Sequence, residues 1–143
     1  MAKLTDIEGI GPKLSQKLKD AGVGSVEALL KHGADRKGRR QLAEESGIDA
    51  KRILRFTNHA DLMRIKGIGG EYAELLEAAG VDSAPDLARR NPENLHPKLS
   101  EVNEEKKLVR SLASAKQVGG WIDQAKEMEK TVTHYSSAST VIL

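Results

Sequence analysis

The chain has 143 residues, 38% of them hydrophobic and 31% charged, with a net charge of +2, four aromatic residues and no cysteine. That length serves one compact domain or two small units, with no room for a large catalytic domain and its pocket, and the lack of cysteine excludes disulfides, thiolate metal sites and a thiol nucleophile. No run approaches the roughly 20 apolar residues of a membrane span, and Met1 to Leu30 has no continuous apolar region of a secretory signal, so the expectation is a cytoplasmic protein with no membrane partner.

In chain order, Ile7-Glu8-Gly9-Ile10-Gly11 comes first. Two glycines around an isoleucine suit a tight turn with positive backbone dihedrals, and the isoleucine can point inward as an anchor. A helix begins near Pro12, with Leu14, Leu18 and Ala21 on one face and Gly22 placed as its C-terminal cap. Ser25 then starts the next helix. Arg36 to Ser46 reads as a short helix, basic and then acidic, that ends at Gly47. Gly38 weakens its beginning, so Arg36 to Arg40 reads as a mobile loop or a frayed helix start. Asp49 caps a longer helix from Ala50 to about Met63, carrying Ile53, Leu54, Phe56 and Leu62. From Lys31 to Arg55 there are eight basic and four acidic residues.

The opening pattern then returns 58 residues downstream. Between Leu4–His32 and Leu62–Arg90, 11 of 29 aligned pairs are identical, including both Gly-Ile-Gly turns and both Ala-Gly-Val endings. This is a duplicated structural unit. In the second copy Tyr72, Leu76 and Ala79 share a helical face, Gly80 is the cap, and Ser83 with Asp86 opens the following helix. Asn91-Pro92 opens another, and Lys98 to Leu112 continues it less regularly. Ser114 and Gln117 form a capping box for a last helix bearing Val118, Trp121, Ile122, Ala125 and Met128. That spacing makes Trp121 a core anchor rather than a platform for a base. No stretch alternates as a strand would. From Glu71 to Glu105 the balance reverses to nine acidic and three basic residues. The expected architecture is all-α, two duplicated units over 1–58 and 59–129 packed as a compact helical bundle, with a Ser/Thr-rich tail at 130–143 of uncertain order.

GIGPKLSQKLKDAG and GIGGEYAELLEAAG resemble helix-hairpin-helix motifs, in which a Gly-apolar-Gly hairpin joins two helices. The second half, from DLMRIKGIGGEYAELLEAAGV through PENLHPKLSEVN to WIDQAK, is similar to a bacterial family of unknown function built around this motif. Members of that family are sometimes labelled as flap-endonuclease-like DNA proteins. The resemblance spans roughly residues 1 to 128. It implies the helical fold and contact with DNA, and it allows a monovalent cation held by hairpin carbonyls, with Ile7 or Ile10 as the donor. No other cofactor is expected.

The chemistry of the turn points the same way. Gly9, Ile10 and Gly11 present backbone amides at a helix start, where orphan N–H groups and the helix dipole favour a phosphate. Lys13 stands beside them, and such contacts are indifferent to base sequence. Arg36, Lys37, Arg39 and Arg40 form a second candidate contact. In the second copy Lys66, Gly67, Ile68 and Gly69 repeat the turn, but Glu71 replaces the basic position and Glu74 and Glu77 extend the acid along the helix. The four histidines, His32, His59, His96 and His134, lack ligand spacing, so no metal site is expected. Nor do carboxylates converge as a metal-dependent nuclease requires. The expectation is therefore a non-catalytic, sequence-independent DNA-binding module. The alternative is a protein-interaction module that offers its acidic second half, or its tail, to a basic partner.

Overall fold

A computed structural model describes residues 3–128, and they are helical: a short 3-10 helix at Leu4–Asp6 and then eight α-helices, with no strand among the described residues. The all-α expectation holds. The tail at 130–143 lies outside the described residues. The chain divides into two compact units between Asp61 and Leu62, rather than between residues 58 and 59 as the repeat suggests.

In the first unit, α1 (Pro12–Asp20), α2 (Val26–His32) and α3 (Arg36–Ser46) are followed by α4 (Ala50–Leu62). Here α1 packs on the 3-10 helix and on α3, and α2 packs on α3. Ile7, Leu18, Val23, Leu29, Ile53 and Phe56 are all buried. Burying each such side chain stabilises the fold by about 1.5–3 kcal/mol. The second unit holds α5 (Gly70–Ala78), α6 (Ala84–Ala88), α7 (Pro92–Lys106) and α8 (Ala115–Glu127). There α6 and α7 pack against α8, and α5 packs against α7. Its core includes Leu75, Leu76, Leu87, Leu99, Val118, Trp121 and Ile122.

The repeated Ala-Gly-Val ending is a helix stop written twice. Gly22 N donates to Lys19 O at 3.0 Å and Val23 N to Leu18 O at 2.8 Å. Gly80 N to Glu77 O at 2.9 Å and Val81 N to Leu76 O at 2.8 Å repeat the pair. Both glycines have positive φ, which lets the chain reverse and return the last carbonyls of the helix to partners. The valines then drop into the core against Leu18 and Leu76, all four fully buried.

Two segments differ from the expectation. Arg36 to Arg40 is neither loop nor frayed end: α3 is helical from Arg36, and Asp35 caps it by accepting from Gly38 N at 2.7 Å. Gly38 is there for closeness. A Cβ on it would stand 2.0 Å from the carbonyl oxygen of His32, so α3 approaches the end of α2 nearer than any side chain permits. Likewise α7 runs without a break from Pro92 to Lys106, across Pro97, and stops at Lys107 in the left-handed conformation. Asn103 ends it: its Oδ1 accepts from Val109 N at 3.0 Å and its Nδ2 donates to Val109 O at 3.1 Å, which pins the departing chain. No helix among the described residues is long and apolar enough to cross a membrane.

Candidate functional site

The two Gly-Ile-Gly turns share one geometry. Gly9 and Gly67 sit at φ of +95° and +98°, and in each turn the second isoleucine donates to the first, Ile10 N to Ile7 O and Ile68 N to Ile65 O, both at 3.1 Å. Only glycine takes that backbone conformation without strain. Ile10 and Ile68 are buried anchors whose amides are already donated within the turn, which removes them from the expected phosphate contacts, while Gly9, Gly11, Gly67 and Gly69 stay exposed at its surface. Open space lies where a side chain on Gly11 or Gly69 would stand.

What separates these turns from the rest of the fold is how their helices begin. Ser25, Asp35, Ser83, Asn91 and Ser114 each cap a helix with a side-chain oxygen that accepts a backbone N–H. Gly11 and Gly69, the caps of α1 and α5, supply no such oxygen. The first amides of these two helices therefore lack the side-chain acceptor that the other capped helices carry, and an anion is a natural partner for them.

Charge then distinguishes the copies. At the first turn Lys13 is exposed, and α4 adds cations that the sequence reading did not single out. A Cβ on Gly9 would stand 3.2 Å from Phe56 Cε1 and 3.9 Å from Arg55 Nη1, and the Arg52 guanidinium lies 5.7 Å over the Phe56 ring. The i, i+4 spacing of Arg52 and Phe56 is the signal that was available. Asp6, an acid near this turn, has its carboxylate engaged by Lys3 N at 2.8 Å. At the second turn Glu71 is exposed in place of Lys13. Trp121 fills the position of Phe56, its Nε1 2.7 Å from where a Cβ on Gly67 would stand. Gln124 grips the turn by accepting from Lys66 N at 3.0 Å and donating to Lys66 O at 3.3 Å. Trp121 is 5% exposed and meets Tyr72 edge-on with ring centroids 5.1 Å apart, which confirms it as a core anchor.

In the basic segment Arg36, Lys37 and Arg40 are exposed on α3, whereas Arg39 is 4% exposed. Its Nη1 donates to Gly33 O at 2.8 Å, and Gly33 itself packs against Thr57 of α4. Burial pushes the Arg39 guanidinium below its usual range, Asp35 opposes that shift, and Arg36 adds to it. Arg39 is thus turned inward to hold the end of α2, which removes it from the set of surface phosphate contacts. Arg39→Ala is expected to destabilise the fold by about 1–3 kcal/mol, because it strands a buried carbonyl. Arg40→Ala is expected to stay within about 0.5 kcal/mol of the parent. Urea unfolding followed by circular dichroism checks both.

Among the described residues no group of three His, Asp or Glu side chains comes together in a way that suits a metal ion. The chain matches no curated protein and no solved structure. A family model does match it over residues 8–128, and by that match the protein belongs to the family described as Domain of unknown function (DUF4332).

Proposed function

We propose that this protein is a non-catalytic, sequence-independent DNA-binding module of helix-hairpin-helix type, and that its first Gly-Ile-Gly turn takes the phosphate backbone. The observation that carries the reading is the pair of helix starts left without a side-chain cap. The first has Lys13 just inside its helix, where the second has Glu71, although Glu8 at the first turn and Lys66 at the second reduce that contrast. Gly9 and Gly11 let a strand approach the backbone, the amides at the start of α1 receive a phosphate oxygen, and Lys13 and Arg55 add charge beside it. Arg36, Lys37 and Arg40 extend the basic surface of the same unit. The second turn has the same backbone but carries Glu71, so it contributes less.

Fluorescence anisotropy with a labelled short duplex, at about 50 and 200 mM salt, tests this. Affinity is expected to fall steeply with salt, and Lys13→Glu to weaken binding roughly tenfold at the lower concentration by removing one phosphate contact and adding a repulsion. Glu71→Lys is expected to tighten binding. No affinity at the lower salt, or affinity indifferent to Lys13, would remove the proposal and favour the acidic second unit as a surface for a basic protein.

A further inference from the structure

A cavity of about 400 Å³ lies in the second unit, at the end of α5 away from its turn. Nine helical residues separate the turn from this end, about 14 Å of helix rise, so the two places are distinct. Buried Ala79 and Leu95 give the cavity apolar surface, while Arg89, Arg90 and Lys98 supply its charge. These three are the only basic residues between Glu71 and Glu105, a stretch with nine acids, and the fold gathers all of them around one hollow.

Arg90 is held in place, and Arg89 stands exposed beside the same carboxylate. Arg90 Nη2 donates to Gly80 O at 2.8 Å and pairs with Asp86 Oδ2 at 3.2 Å, and Arg89 Nη2 pairs with Asp86 Oδ1 at 3.5 Å. One carboxylate thus orients two guanidinium groups and leaves the hollow with a net positive charge. The first unit provides an internal comparison. Its cavity, about 190 Å³, is bounded by Ala21 and His32, the repeat counterparts of Ala79 and Arg90. Gln41, Leu42 and Glu45 of α3 line it with the spacing of Asn94, Leu95 and Lys98 on α7. The hollow of the second unit is about twice the size of the first unit's, and where the first is bounded by His32 and Glu45 the second has Arg90 and Lys98.

We infer that the cavity between α5, α6 and α7 binds a small organic phosphate of about nucleotide size. Its volume lies in the range of small-ligand pockets, and it sets apolar surface beside one anchored arginine, Arg90, and two exposed cations, Arg89 and Lys98. Arginine and lysine suit the phosphate, and the apolar surface suits the remainder of the molecule. The acid around the hollow decides against an extended polyanion. Exposed Glu93 and Glu101 lie on α7 beside Asn94 and Lys98 and would repel a duplex laid across the hollow, whereas a compact dianion engages only the local cations.

Calorimetric titration of the full chain with inorganic phosphate, AMP, adenosine and a short DNA duplex tests the assignment. AMP is expected to bind more tightly than phosphate, and adenosine far more weakly than AMP. Lys98→Glu, at an exposed position, is expected to weaken AMP binding roughly tenfold or more while leaving duplex binding within twofold. Lys17→Glu on α1, the control, is expected to leave AMP binding unchanged. Failure of AMP to bind at millimolar concentration, equal affinity for phosphate and AMP, or AMP binding indifferent to Lys98→Glu would each overturn the inference. So would a loss of duplex affinity in Lys98→Glu as large as the loss for AMP, since that would make the hollow part of a nucleic-acid surface.

Discussion

Replacing Trp121 with alanine is expected to cost the second unit about 3–5 kcal/mol, enough to unfold a marginally stable helical unit. The side chain is 5% exposed and sits among Tyr72, the Gly67 turn and the α8 residues Val118 and Ile122. Alanine would leave a cavity there, and the turn above it would lose its support. The loss extends past packing area, since an edge-on aromatic pair contributes about 0.5–1.5 kcal/mol of its own. Trp121→Phe keeps most of the volume and is expected to cost less than half as much. Urea unfolding by far-ultraviolet circular dichroism reads both variants, because the chain has one tryptophan and its fluorescence disappears with it. A cost under about 1 kcal/mol for the alanine variant would mean that Trp121 is not the anchor of this unit.

Gly38→Ala is expected to destabilise the first unit by about 2 kcal/mol or more, against the direction of helix propensity. Alanine in a helix interior is ordinarily favoured over glycine by about 0.5–1 kcal/mol. Here its Cβ would stand 2.0 Å from His32 O and 3.1 Å from Asp35 Oδ1, and the nearer atom is backbone, which has no rotamer to escape into. Relief requires α3 to move off the end of α2. That movement disturbs the Arg39 hydrogen bond to Gly33 and the contact of Gly33 with Thr57. Overpacking of this kind costs about 1–3 kcal/mol, so the steric effect outweighs the propensity gain. A thermal midpoint equal to or above that of the parent would show that the two helices are less tightly apposed than described.

Gly38 also marks where the sequence stops being legible. Local signals were sufficient for the turns, the Ala-Gly-Val stops and the serine caps, because each depends on residues within about one helical turn of each other. They could not tell a glycine that breaks a helix from one that lets two helices touch, because the second meaning needs the neighbour. Arg39 fails for the same reason. In Arg36-Lys37-Gly38-Arg39-Arg40 four cations look alike, and only the position of Gly33 turns one of them inward. The reverse holds for Arg55, which drew no particular notice in sequence yet lies beside Gly9 because Phe56 seats α4 against the turn. The three cations around the hollow are spread over ten residues, and only the approach of α6 and α7 brings them together. The segment expected to continue less regularly from Lys98 to Leu112 instead stays in α7 to Lys106 and then stops, because Asn103 fixes the chain beyond it through Val109, a partnership six residues apart that local pattern does not reveal.

The central claim, that the amides at the first turn receive phosphate, is tested most directly by residue-resolved amide chemical shifts of the full chain titrated with a short unlabelled duplex. The largest changes are expected at Gly9, Gly11 and Lys13, with smaller ones at Gly67 and Gly69 and a general decline as salt is raised. Changes confined to the second unit, or none at Gly11 and Lys13 while the duplex binds, would contradict it.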